Sequence, residues 1–280
     1  MSNLSYTKVE QGFEGIEREK EISFKCSRKK FFGEKMPQFS IKTTDIKNEI
    51  VTLTDKNLIK HIVNVLRLKV NDELLLLDEK EVVYTTRIVE AAKDKISAEI
   101  LKKEQSKRKL NFRLDLIQCV LKSGAMEVVI QKMTELGVKN IYAVPSFRSV
   151  PKYSVKDAKG KVEKWLKITD ESCKQCERAD KPNVFFEEKF EKIKELAKNY
   201  DLVIACVERS SDKTLKDVLK KAEKHSSVLV IIGPEGGFET KEINFFKENN
   251  FECVSISNLI YRAETAAISA MSGVIYEYEL

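Results

Sequence analysis

The 280-residue sequence has no run of about 18 apolar residues, the length a helix needs to cross a bilayer. Its first 30 residues are polar and carry no apolar segment of the kind a secretory signal requires. Together these point to a cytoplasmic protein without a membrane partner. In that compartment the six cysteines read as free thiols, several of them small core hydrophobes, and not as a disulfide framework. Cys173 and Cys176 form a lone CxxC with no partner ligands at matching spacing, so no metal is expected. A Gly-x-Gly-x-x-Gly fingerprint is also missing. The glycine-rich loop at residues 233–237 does not end in Gly-Lys-Ser/Thr, which argues against a nucleoside-triphosphate P-loop.

What is present starts with an ordinary apolar fraction of 42% and a formal charge of +6. So small an excess says little about partners, but its distribution says more. Six basic residues face one acid between Lys102 and Arg113, and seven face two between Ser146 and Lys167. These stretches read either as solvated faces or as a phosphate-binding surface.

Three regions follow from pattern. Residues 1–35 are polar and aperiodic, and are expected to form a disordered extension. Residues 36–105 alternate with period two in short segments at 39–41, 50–53, 73–77, 82–89 and 95–101, with a helical stripe over 58–68, as in a small β-barrel. A charged linker is expected at 101–109. Residues 106–280 alternate strands (112–121, 140–144, 183–186, 202–207, 228–232, 253–256) with helices, which predicts a mostly parallel sheet covered on both faces.

Two loops stand out at the C-terminal ends of predicted strands, where open α/β sheets place their ligands. Ile232-Gly233-Pro234-Glu235-Gly236-Gly237-Phe238 combines main-chain access with an acid that would repel phosphate. A ligand with an adenine, a ribose and a positive centre suits it better than a polyphosphate; a plain tight turn before a helix capped by Thr240 is the simpler alternative. Arg262-Ala263-Glu264-Thr265-Ala266-Ala267 opens a helix whose Ala263, Ala266, Ala267, Ala270 and Gly273 form a stripe of small residues. Such a stripe admits close approach by another helix of the chain or by a second subunit. Arg262 and Glu264 are either a surface pair favoured by the helix dipole or a charged pair lining a pocket shared with the glycine loop.

The two loops together resemble the RsmE family of ribosomal-RNA methyltransferases. His61 to Arg67, Lys122 to Val138, Arg148-Ser149-Val150 and Glu171 to Arg178 extend the resemblance over about residues 36–280. Departures from the family pattern fall at Ile256-Ser257 for Leu-Gly, Tyr261 for Leu, Phe147 for an acid and Glu177 for Gly. The resemblance implies a SPOUT-type, trefoil-knotted α/β methyltransferase domain preceded by a PUA-like β-barrel that binds RNA. It implies methyl transfer from S-adenosylmethionine to N3 of a uridine in 16S ribosomal RNA, on the assembled small ribosomal subunit, by a homodimer. Arg262 and Glu264 are then the catalytic candidates. Ile232, Gly233, Glu235, Gly236, Gly237, Ile256, Leu259, Ile260, Thr265 and Ala266 are the cofactor-binding candidates, and His61, Arg67, Arg148 and Lys152 the RNA-binding ones. The alternatives are a non-catalytic RNA-binding module and a SPOUT methyltransferase with another RNA target.

Overall fold

A computed structural model describes residues 36–106, 109–207, 213–221 and 226–279. The extension expected at 1–35, with Cys26, lies outside these residues.

The first sheet has six strands: β1 (Gln38–Ser40), β2 (Ile46–Lys47), β3 (Ile50–Leu53), β4 (Glu73–Leu77), β5 (Val82–Ala91) and β6 (Ile96–Gln105). Their spatial order is β1-β4-β5-β6-β3-β2, antiparallel except for β1 beside β4. Leu74, Leu76 and Ile88 are fully buried while Glu73, Leu75, Arg87 and Val89 are partly or wholly exposed, and in β6 Ile96, Ser97 and Ala98 are buried in succession. β6 overruns the expected linker, since Gln105 still pairs with Val82. Its distal half, Lys102–Gln105, is exposed on both faces, so no apolar alternation marks it in the sequence.

The stripe over 58–68 becomes a short helix α1 (Lys56–Lys60) that widens into a π-helical turn, His61–Val65. Asp55 starts it by accepting the Asn57 and Leu58 N–H groups at 2.8 Å each. Ile59 and Ile62 anchor it to the core. Arg67 ends it in the left-handed region, φ 56°.

The second sheet is wholly parallel: β7 (Arg113–Cys119), β8 (Asn140–Val144), β9 (Asn183–Phe186), β10 (Leu202–Cys206), β11 (Ser227–Ile232) and β12 (Glu252–Val254), in the order β12-β10-β11-β7-β8-β9. The chain steps outward through β7, β8 and β9, then returns to the other side, and β11 fills the gap beside β7. That reversal makes the β11/β7 boundary a switch point, the place where such sheets open a crevice. β7 and β11 are buried almost throughout because both their faces are covered; β11 is apolar after Ser227, and β7 also buries Asp115 and Gln118.

On one face pack α2 (Ser123–Glu135), α3 (Val155–Cys176), α5 (Leu215–Lys221) and α7 (Ala263–Glu279); on the other, α4 (Lys192–Ala197) and α6 (Thr240–Glu248). Gly137, φ 85°, supplies the left-handed residue after α2. The N-cap of α6 is Glu239, one residue before the expected Thr240. The small residues of α7 are used inside the chain: Ala263, Ala267 and Ala270 are buried, and a Cβ on Gly273 would lie 3.2 Å from Leu215 of α5.

At the far end of the sheet from the two loops, buried Asp115 accepts from the Asn140 N–H (2.9 Å), the Asn140 amide (2.8 Å), Arg113 and Tyr200. This network ties together the starts of β7 and β8 and the approach to β10.

Candidate active site

Beyond the C-terminal ends of β10, β11 and β12 lies a cleft with about 680 Å3 of free space, its open mouth included. One wall is the glycine loop. Its turn is closed by the Gly237 N–H donating to Pro234 O at 2.9 Å, and Gly237 sits at φ 66°. A Cβ on Gly233 would lie 3.1 Å from the Phe238 ring, which packs edge-on against Phe246 at 4.9 Å. Glycine there lets the loop fold flat over its own aromatic anchor and leaves the main chain facing the cleft.

Gln118, fully buried at the end of β7, holds the loop from below. Its amide donates to the carbonyls of Gly233 and Cys119 at 3.1 Å each, while its own carbonyl oxygen is buried without a partner among the described residues. Glu235 turns back and accepts the Lys122 N–H at the start of α2, 2.9 Å away. An acid at a helix N-terminus is favoured by the dipole. Arg148 clamps the loop from the side. Its Nη1 donates to Gly236 O at 3.0 Å, and a Cβ on Gly236 would lie 3.1 Å from Arg148 Cβ.

The turn that carries Arg148 is in turn fixed by Glu242, which is 1% exposed. One of its oxygens accepts the Phe147 N–H (3.1 Å) and the other the Glu239 N–H (2.7 Å). Phe147, where the family pattern has an acid, is exposed and lies under the Lys241 ammonium at 3.1 Å from the ring centre.

The opposite wall is the segment from Ser255 to Ala266. Ser257 Oγ accepts the Leu259 N–H at 3.0 Å, a local side-chain turn that glycine cannot make. Ser257 is not among the residues with positive φ, so serine fits this position without left-handed strain. Leu259 and Ile260 are largely exposed at the rim. The Ala266 N–H donates to Arg262 O at 2.8 Å and opens α7.

Of the cofactor candidates, Ile232, Gly233, Glu235, Gly237, Ile256, Leu259, Ile260 and Ala266 line the cleft; Gly236 and Thr265 do not. Gly236 meets Arg148 instead, and Thr265 is exposed on the first turn of α7. Arg262 stands exposed between Tyr261 and Ala263, both of which line the cleft. Glu264 is half-buried on the next position, and no ion pair joins it to Arg262 among the described residues. Lys152 borders a second cavity beside the first. His61 and Arg67 lie on the turn of the first sheet and line neither cavity; His61 packs edge-on to Phe39 at 5.9 Å.

Among the described residues the lining has no cation and one acid, with apolar side chains on both walls and main-chain groups along the loop. That donor set suits a flat heterocycle with a neutral or positive appendage. Cys206 on the wall is held as a neutral thiol, since burial pushes it up to about 12. Cys173 is likewise pushed up to about 11 by burial, so neither is poised as a nucleophile. Among the described residues no group of three or more His, Cys, Asp and Glu side chains gathers as a metal site.

Gln118 and Glu242 carry the site without having been singled out from sequence. Gln118 leaves a trace, a polar residue inside the apolar run of β7. Glu242 leaves another, its three-residue spacing from Glu239. Their partners lie 115 and 95 residues away and leave none.

Comparison with known proteins agrees with this geometry. Residues 108–275 match the model of an RNA methyltransferase domain, and residues 53–101 that of an RNA methyltransferase PUA domain. Ribosomal RNA small subunit methyltransferase E 2 of Borreliella burgdorferi is 30% identical over 85% of this chain and 96% of its own. The methyltransferase E of Bacillus subtilis is 29% identical over 79% and 88%. Among solved structures, the methyltransferase E of Neisseria gonorrhoeae bound to S-adenosyl methionine superposes with a TM-score of 0.68 at 25% identity, covering 87% of this chain and 98% of that one. A Legionella pneumophila protein described as a methyltransferase, with the cofactor SAM bound, gives 0.71 at 26% identity over the same shares.

Proposed function

The chain belongs to the ribosomal RNA small subunit methyltransferase E family, and on that premise we propose that it methylates N3 of a uridine in 16S ribosomal RNA, on the assembled small subunit. The observation that carries this reading is the cleft itself. A pocket beyond the strand ends whose described lining carries no cation, with an arginine at its rim that is unpaired among the described residues, suits a sulfonium donor next to an acceptor that develops negative charge.

The residues fit S-adenosylmethionine in kind. Gly233 and Gly237 would offer main-chain groups to the adenosyl portion, while Ile232, Ile256 and Ile260 would flank the ring. When bound, the cofactor supplies a methyl whose carbon–sulfur bond breaks with the electron pair left on sulfur. N3 of uracil is a poor nucleophile until it loses its proton. Arg262 has the position to stabilise charge developing on a uracil carbonyl. Glu264, or a water beside it, would take the proton. N3 lies on the pairing edge, so the base must leave its stack to react. We assign contacts to RNA phosphates to the first sheet and to the lysines of α3. We further propose the trefoil knot in the second sheet's domain, a domain boundary near residue 105 and a homodimer as the working assembly.

The test is transfer of labelled methyl from S-adenosylmethionine to small subunits and to free 16S RNA, with the modified nucleotide mapped. Methyl on uridine N3 is expected. Methyl on another atom or another RNA class would overturn the reading. Arg262→Ala should abolish turnover while cofactor binding persists, and normal turnover would remove Arg262 from the chemistry. A monomer by light scattering, at concentrations of full activity, would remove the dimer.

A further inference from the structure

The donor and the product of methyl transfer differ by little. Transfer leaves the bonding pair on sulfur, so S-adenosylhomocysteine is S-adenosylmethionine without one methyl and without the sulfonium charge. The adenosyl group, the ammonium and the carboxylate are common to both. Apolar walls and main-chain groups that grip those shared parts would hold donor and product alike. Preference for the donor needs a group that responds to charge, and Glu235 is the one charged side chain among the described residues of the lining.

Glu235 is held in place from two sides. It stands at the tip of the turn whose ends meet through the Gly237 N–H and Pro234 O at 2.9 Å. One carboxylate oxygen, Oε1, accepts the Lys122 N–H, also at 2.9 Å. The other, Oε2, has no hydrogen bond, and no ion pair reaches the side chain, among the described residues. Arg148, which clamps the same turn, donates to Gly236 O instead, at 3.0 Å. The negative charge is therefore fixed at the wall and is not cancelled by a described cation. Such a carboxylate attracts a positively charged sulfur and is indifferent to a neutral thioether. Two unit charges about 4 Å apart attract by the equivalent of about fivefold in affinity even at the dielectric of bulk water, and by more where water is displaced.

From this arrangement we propose that Glu235 is a specificity-determining residue, whose carboxylate is the counter-charge to the sulfonium and makes the cleft prefer the methyl donor to the demethylated product. Once the methyl has left, the attraction ends, and the product is held less tightly than the donor that replaces it. The bond to the Lys122 N–H serves this role by keeping the carboxylate at the wall, where it would otherwise be free to swing into solvent. The proposal rests on the S-adenosylmethionine reading of the cleft.

Calorimetry on the full chain tests it. The dissociation constants of S-adenosylmethionine and of S-adenosylhomocysteine are measured for the parent, Glu235→Gln and Glu248→Gln. Glutamine keeps a carbonyl oxygen for the Lys122 N–H and removes the charge. Glu248, exposed on α6 and outside the cleft lining, controls for net charge. In Glu235→Gln the ratio of the product constant to the donor constant should fall about fivefold or more. The fall should come from weaker donor binding, and an unchanged product constant shows that the loop is intact. Glu248→Gln should keep the parent ratio. An unchanged ratio in Glu235→Gln overturns the proposal, whether neither constant moves or both weaken together; weakening of both would put the carboxylate on the shared ammonium or make it a prop of the loop. An equal fall in Glu248→Gln also overturns it, by making the effect one of net charge. A parent that binds neither molecule would sink the cofactor reading itself, and the proposal with it.

Discussion

Replacing Glu242 by Ala removes one side chain that joins α6 to the Ser146–Arg148 turn. Two main-chain donors, Phe147 N–H and Glu239 N–H, lose their carboxylate acceptors at 3.1 and 2.7 Å. Hydrogen bonds to charged groups contribute about 1.5–3 kcal/mol each, and a buried donor left unpaired costs about 1–3 kcal/mol. Water can reach the turn beside exposed Phe147, which brings the expected total to roughly 3–5 kcal/mol. A stable domain has only about 5–15 kcal/mol in all. At roughly 2–4 °C per kcal/mol the melting temperature should drop by about 6–20 °C. Glu242→Gln keeps one acceptor but turns an NH2 group toward the second N–H, so it should lose about 1–3 kcal/mol. Urea unfolding followed by the single tryptophan, Trp165, which is 1% exposed in the core, reads both changes. Because the turn carries Arg148, and Arg148 holds Gly236, the affinity for S-adenosylmethionine should also weaken in both variants. A Glu242→Ala protein within about 0.5 kcal/mol of the parent, the range of an ordinary surface change, would refute the claim that this carboxylate fixes the turn.

Other perturbations test separate parts of the structure. Glu177 ends α3 at φ 58°, ψ 32°; Glu177→Gly should raise the urea midpoint, since relief of about 1–2 kcal/mol of left-handed strain exceeds the ~0.5–1 kcal/mol entropic cost of glycine. Gly237→Ala places a side chain at φ 66° and should cost about 1–2 kcal/mol, with weaker cofactor binding seen by calorimetry. The Tyr84 hydroxyl is pushed from 10.0 up to about 12, first by burial and then by its bond to Asp78. The folded protein therefore retains that proton when the unfolded chain has lost it. The resulting stability is present below pH 10 and lost as pH rises from about 10 to 12. Tyr84→Phe should flatten that loss in urea titrations. If exposed Lys156 and Lys159 of α3 meet phosphates, their double replacement by Ala should reduce the salt slope of log K for RNA by about 1.4–1.8. An unchanged slope would place the RNA elsewhere.

Strand and helix periods were legible for most of residues 36–280 because burial writes itself into alternation. They failed where burial did not decide. Lys102–Gln105 is strand by main-chain pairing alone, with its side chains in water. The stripe at 58–68 is a short helix and a π-helical turn, a local widening that periodicity cannot register. For the small residues of α7 the sequence offered two partners, and packing against α2, β11 and α5 used the stripe inside the chain.

By itself, the sequence determined the strand–helix alternation, the two loops with their glycines and the family they resemble. These depend on local chemistry: which residues tolerate left-handed turns, which alternate, which start helices. Only the tertiary structure decided that Gln118 and Arg148 hold the glycine loop, that Glu242 holds Arg148, and that Ser257 caps its own turn in place of a glycine. It also placed a second cavity beside the first. Such contacts depend on strand order, and a chain that crosses to the other side of the sheet between β9 and β10 brings together residues about a hundred positions apart, with no period in the sequence to announce them.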